Sequence, residues 1–237
     1  MILRRDSSSA NDRNIVDWND RLDEVAEKIL RLGGLVEQAI DRSVRALSER
    51  DVELARNVIA DDHRIDGLEL ELDAACFALL ELQPGELADL RFITTAMKIT
   101  PDLERMGDHA VNIAQRAIEL AEEPPIPAIV DLPQMARHAQ EMVAGSLDAF
   151  VKKDAERARA VIAMDDRLDR MMEQTFRILT SQMIEDPRLV SRAIRLTFVA
   201  KYFERVGDQA TNVSEQVVYM CEDKVIKHPS SRPTDES

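Results

Sequence analysis

The sequence predicts an all-α protein made of two tandem repeated three-helix bundles, six long helices in all. Three observations predict it. Apolar residues recur in steps of three and four along most of the chain, the period of a helix with one buried face. Seven glycines, nine prolines and nine aromatic residues in 237 are too few turn formers and strand formers for a sheet protein. The third is a repetition in letters. ARNVIADDHRID over 55–66 returns as ARAVIAMDDRLD over 158–169, and ERMGDHAVNIA over 104–114 returns as ERVGDQATNVS over 204–214. Self-similarity at a spacing of about 100 residues marks a duplicated unit.

The elements follow in order. Residues 1–14 are polar and unpatterned and read as a tail. Trp18, Leu22, Val25, Ile29, Leu32, Val36 and Ile40 then form one stripe of a long helix. Gly33 and Gly34 interrupt it at a propensity cost of about 1 kcal/mol each, which close approach of a neighbouring helix explains best. Val58, Ile65, Leu68, Leu72, Cys76 and Leu79 predict a second helix over 51–82, with Cys76 a small core residue. Pro84-Gly85 is a turn, the glycine being expected to supply a positive φ. A third helix runs from 86 to 122 and completes the first repeat, 15–123. The proline-rich linker 124–132 cannot continue it. The second repeat, 133–226, has helices over 133–152, 154–185 and 188–226, with a break at Asp186-Pro187, and 227–237 is again a tail.

Lys and Arg number 31 against 45 Asp and Glu, a net charge of -14. Such a surface repels phosphate backbones and anionic lipid heads, so direct nucleic-acid binding is not expected and a membrane would be reached only through partners. No run approaches 18 uncharged apolar residues, and no apolar stretch follows the arginines of MILRRDSSSANDRN, so neither a spanning nor a signal segment is expected. Cys76 and Cys221 are too isolated for a disulfide framework or a CxxC metal site. The expectation is a soluble cytoplasmic protein.

The chemistry lies in the acidic residues. Glu104 and Asp108 stand four apart on one helix face, as do Glu204 and Asp208 in the second copy of ERxGDxxxN. The middle helix of each repeat carries another such pair, Asp62 with Asp66 and Asp165 with Asp169. Within each repeat the midpoint of the two pairs falls on the turn, at Gly85 and at Asp186-Pro187. Two helical arms of equal rise therefore place the pairs level across an antiparallel hairpin. Glu104 and Asp108 lie roughly opposite the stripe Leu103, Met106, Ala110, Ile113 and Ala117, so each group of four should occupy a surface groove.

Four converging carboxylates need protons, arginines or a cation to neutralise them. Oxygen-only donors suit Mg²⁺, Mn²⁺, Ca²⁺ or ferric iron rather than zinc or copper, and Asn112 and Asn212 stand one turn away to orient a ligand. Arg64, Arg105, Arg167 and Arg205 offer the alternative of plain salt bridges. Pro101 precedes Glu104 by three residues where the second copy has Lys201, so the two sites need not be equal. No ExxH pair occurs, which argues against a ferritin-like centre, and His109, replaced by Gln209 in the repeat, reads as a surface residue. No nucleophile elbow or glycine-rich phosphate loop is present, and no catalytic residue or organic cofactor is expected.

The doubled ERxGDxxxN motif, the segment GGLVEQAI over 33–40, the acidic middle-helix pairs and the duplicated plan together resemble the PhoU family of phosphate-uptake regulators, over about residues 18–226. The resemblance implies a non-enzymatic cytoplasmic adaptor of the Pst ABC transporter, acting on its ATPase PstB. It also implies restraint of the sensor kinase PhoR when phosphate is plentiful. Some members hold iron, Mg²⁺ or Mn²⁺ clusters on such pairs, which here would be Asp62, Asp66, Glu104, Asp108, Asp165, Asp169, Glu204 and Asp208; other members are metal-free. A metal-storage or metal-dependent hydrolytic bundle is the alternative. A homodimer is expected, with Met97, Val111 and Ile118 as exposed apolar residues available to it.

Overall fold

The computed structural model describes residues 8–83, 85–126, 130–224 and 226. Their elements are α1 (Ser8–Glu49), α2 (Val52–Asp61), α3 (His63–Glu81), α4 (Leu87–Ala121), α5 (Leu132–Lys152), α6 (Ala155–Ile162), α7 (Asp165–Glu185), a short 3-10 turn (Pro187–Leu189) and α8 (Val190–Glu222). The fold is all-α, with two up-down-up units. Several boundaries differ from expectation, among them the end of α8 at Glu222 rather than 226. Helix α1 begins at Ser8, inside the segment read as a tail, and the middle helix of each repeat is divided, at Asp62 in the first and at Ala163–Met164 in the second. At the first division the carbonyl of Asp62 accepts from Ile65 at 2.7 Å and from Asp66 at 3.3 Å, a local tightening of the helical ladder. Residues 1–7 and 227–237 lie outside the described residues.

The sequence places a carboxylate at equivalent helix starts. Asp51 accepts from the amide of Leu54 at 2.9 Å and Asp154 from that of Arg157 at 3.0 Å, satisfying donors that a helix N-terminus leaves free. Asp131 caps α5 in the same way through Gln134 at 2.9 Å. At the first hairpin turn the positive φ falls on Gln83 (59°), and no described glycine has one, so the expected role of Gly85 is not taken. Helix α4 runs through Pro101 without a division.

Trp18 Nε1 donates to Asp89 at 2.7 Å, and Arg50 donates to the carbonyl of Ala121 at 2.9 Å; both contacts span 71 residues. Helices α1 and α4 are therefore parallel and in register over their shared length, with α3 returning antiparallel against both. The repeats do not fold around separate centres. Val25, Ile29, Leu32 and Val36 of α1, Leu103 and Met106 of α4, Val143 and Phe150 of α5, and Phe203 and Val206 of α8 belong to one continuous core. Each fully buried aliphatic or aromatic side chain of this kind contributes roughly 1.5–3 kcal/mol. Gly33 shows how closely the repeats meet, since a Cβ there would stand 2.2 Å from Leu147 Cδ1; at Gly34 the space is open. Arginines tie the start of α8 to the end of α4. Arg195 bonds Glu119 at 2.7 Å and Glu123 at 2.6 Å, and Arg192 donates to the carbonyl of Pro124 at 2.6 Å.

The apolar residues left open are not those expected. Met97, Val111 and Ile118 are half-buried, Met97 against the main core and Ile118 against a second cluster of Ala46, Ala55, Val58, Ala114 and Ala117. Exposed instead are Leu70, Phe77 and Leu87 on the first hairpin, and Phe176, Ile184 and Phe198 on the second.

Candidate metal centres

Glycine sets the approach of the helices that carry the carboxylates. A Cβ at Gly107 would stand 2.8 Å from Ile65 Cδ1 and 3.7 Å from Asp62 Oδ1. At Gly207 it would stand 2.5 Å from Leu168 Cδ2 and 3.4 Å from Asp165 Oδ1. The G of ERxGDxxxN thus lets α3 lie close on α4, and α7 on α8, in the register that the turn positions predict. Sequence reasoning passed over both glycines, although their recurrence at the same place in each copy was the signal available. The helix divisions add a second effect, because they put Asp62 just before α3 and Asp165 at the first position of α7. A helix N-terminus favours negative charge there by about 0.3–1 kcal/mol.

The structure gathers the eight carboxylates into two groups of four. In the first, Glu104 is pushed up to about 7 by burial and then by Asp108, Glu69, Asp66 and Asp62. Asp62 is pushed up to about 6 by burial, then by Asp66 and Asp108, while burial and Asp66 raise Asp108. Glu69, unforeseen in the sequence, is a fifth member. Burial raises its pKa first, then Asp73 and Asp66, with Arg105 opposing. In the second group burial pushes Asp165 and Asp208 to about 6, followed by Asp169 and Glu204 for the former and by Glu204 and Asp165 for the latter. Burial and Glu204 raise Asp169, and Lys201 opposes. Asp66, Asp108, Asp169 and Asp208 are exposed and the other four half-buried, so both groups reach the surface.

The countercharges differ from those expected. Among the described residues no ion pair joins Arg64, Arg105, Arg167 or Arg205 to any of the eight carboxylates. Arg105 donates instead to Asp102 at 3.4 Å. The cation that does enter is Lys201, which donates to Glu204. Glu204 Oε2 and Asp165 Oδ1 are buried without a hydrogen-bond partner. Asn212 Nδ2 donates to Gln209 on its own helix at 3.5 Å, and the Asn212 amide also lowers the pKa of Asp102. His109 is half-buried rather than exposed. Its ring stacks on Tyr202 with centroids 5.8 Å apart, between α4 and α8, and burial pushes its pKa down to about 4.

Oxygen donors alone have the chemistry of a hard-cation site, and in the second group two of them are buried and unpartnered. Among the described residues no group of three or more His, Cys, Asp or Glu is already arranged to hold a metal ion, so ligation would require side-chain rotation. No described helix is long and apolar enough to cross a membrane.

Comparison with known proteins places this architecture. The family described as "PhoU domain" matches residues 29–117 and 132–217, once on each repeat. The chain is 42% identical over 207 residues to the phosphate-specific transport system accessory protein PhoU homolog of Aquifex aeolicus, covering 87% of this chain and 94% of that one. To the protein of the same description from Pseudomonas putida it is 37% identical, over 89% of this chain and 83% of the other. The crystal structure of PhoU from Pseudomonas aeruginosa superposes with a TM-score of 0.84 at 36% identity, covering 87% of this chain and all of that one. The phosphate transport system regulatory protein PhoU from Streptococcus pneumoniae gives 0.83 at 27% identity, over 89% of this chain and 100% of its own.

Proposed function

The chain belongs to the PhoU family, and from that premise we propose that it is a non-enzymatic regulatory adaptor of phosphate transport, working in the cytoplasm on the Pst transporter ATPase PstB and on the sensor kinase PhoR. Relatives described as accessory proteins of the phosphate-specific transport system support the transporter half of this reading. Restraint of uptake and of PhoR signalling when phosphate is plentiful is the regulatory output proposed, with a homodimer as the working form.

The observation that carries the mechanism is the pair of carboxylate groups at equivalent places in the two repeats. We propose that Asp62, Asp66, Glu104 and Asp108 form one site for Mg²⁺, Mn²⁺ or iron, and Asp165, Asp169, Glu204 and Asp208 another. A bound hard cation supplies the positive charge that cancels their mutual repulsion. The residues themselves do the rest: Gly107 and Gly207 hold the helices close, and the buried members keep part of the negative charge away from water, where it acts over a longer range. Neutralising or restoring that charge changes which partner surface is complementary.

The test is a crosslinked pull-down from phosphate-replete cells. Recovery of the transporter ATPase or the sensor kinase is expected, and failure to recover either would count against the adaptor. A phosphatase assay separates the hydrolytic alternative, because metal-dependent turnover abolished by Glu104→Gln would replace the adaptor reading.

A further inference from the structure

We propose that the two carboxylate centres are unequal by construction: the second carries its own cation, the ammonium of Lys201, which a metal dication must displace, whereas the first has no such occupant. The inference rests on the cation-binding reading above. Lys201 lies one helical turn before Glu204 on α8 and donates to Glu204 Oε1, on a side chain only 14% exposed. Its charge also acts on Asp169 and Asp208, so three of the four carboxylates feel the ammonium.

The equivalent position of the first repeat is Pro101, which has no charge to offer. The nearby guanidinium, Arg105, is bonded to Asp102 and is more than half exposed. The first centre also gains Glu69, whose charge acts on Glu104, where the second repeat has Met172. The second centre has a fifth carboxylate of its own, Asp166, whose charge acts on Asp165 and Asp169, so the centres differ by the tethered ammonium rather than by the number of carboxylates. Tethering matters because a cation on the same helix is present at high effective concentration and competes with free ions. Lys201 does not fill its centre, since Glu204 Oε2 and Asp165 Oδ1 remain buried and unpartnered. Those atoms are donors that a dication could use once the ammonium swings out, so the second centre is a weaker site rather than a closed one.

The experiment titrates the full chain with MnCl₂ and follows free Mn²⁺ by its electron paramagnetic resonance, after circular dichroism has shown each variant to be helical. Asp66→Asn with Glu104→Gln should remove the tighter phase, and Asp169→Asn with Glu204→Gln should leave it. In the background lacking the tighter phase, Lys201→Gln should strengthen the remaining phase on the order of tenfold, the worth of a charge-assisted hydrogen bond, and Lys201→Arg should not. Equal affinity at the two centres, or a remaining phase that Lys201→Gln does not move, would overturn the inference while leaving the cation sites standing. No Mn²⁺ bound by any form would remove both.

Discussion

Gly107 lies so close against Ile65 that a Cβ on it would stand 2.8 Å from the isoleucine Cδ1, and Gly207 meets Leu168 in the same way at 2.5 Å. Both glycines have ordinary helical backbone, so their role is close approach rather than unusual φ. Valine at either place should cost about 2 kcal/mol, because a bulkier side chain forces α3 off α4 or α7 off α8. Gly34, where a Cβ meets nothing within 4 Å, should instead gain about 1 kcal/mol on replacement by Ala, from helix propensity alone. Urea unfolding of the three variants checks the contrast.

The raised carboxylates fix the sign of a pH effect. Asp62, Asp165 and Asp208 stand near 6 and Glu104 near 7, above their values of about 4 in an unfolded chain. Between about pH 4 and 7 the folded form therefore binds more protons, and stability falls as pH rises through that window. Asp61, Asp148 and Glu222 act oppositely, because their bonds to Arg42, Lys152 and Arg159 lower their pKa values, and that stability is lost below about pH 4. Without added metal, the Tm at pH 5 should exceed that at pH 7.5. Asp62→Asn with Glu104→Gln should reduce the difference, and an unchanged difference would show that these groups do not set it.

Removing the repulsion chemically should act like removing it with acid. Asp62→Asn, Asp66→Asn, Glu104→Gln and Asp108→Asn together should raise the metal-free Tm, because like charges on neighbouring turns each cost a few tenths of a kcal/mol and the buried members cost more. A lower Tm in thermal melts by circular dichroism would mean that the carboxylates hold the hairpin together by bonds rather than strain it.

The clamp on α8 should be local and modest. Arg195 joins Glu119 and Glu123 but remains about a quarter exposed, so Arg195→Ala should cost about 1 kcal/mol and less in high salt. Denaturant melts at low and high ionic strength measure both.

Periodicity and repetition made the helices legible, and the turn positions made the level carboxylate pairs legible, because helix rise is the same in every arm. What they hid has a physical reason in each case. The division at Asp62 leaves the apolar stripe of the middle helix unbroken, so no letter pattern marks it. Glu69 has Met172 as its counterpart and drops out when the repeats are compared. Lys201 drew notice only as the residue in place of Pro101, since a lysine near a glutamate on a charged chain says little until the two are seen bonded. His109 and Tyr202 meet between the repeats, and the stripe of one helix cannot tell which second neighbour covers its flank. The same limit misplaced Met97, which the shared core half covers, and Ile118, which packs on the smaller cluster of the first repeat.

Equilibrium dialysis of the full chain against Mn²⁺ at pH 7.5 decides whether the two carboxylate centres hold a hard cation. Mn²⁺ should be bound in excess over the bathing solution, reduced when Asp62, Asp66, Glu104 and Asp108 are neutralised and abolished when Asp165, Asp169, Glu204 and Asp208 are neutralised as well. No excess Mn²⁺ on the unaltered chain, or an excess that survives all eight substitutions, would contradict cation binding at these centres.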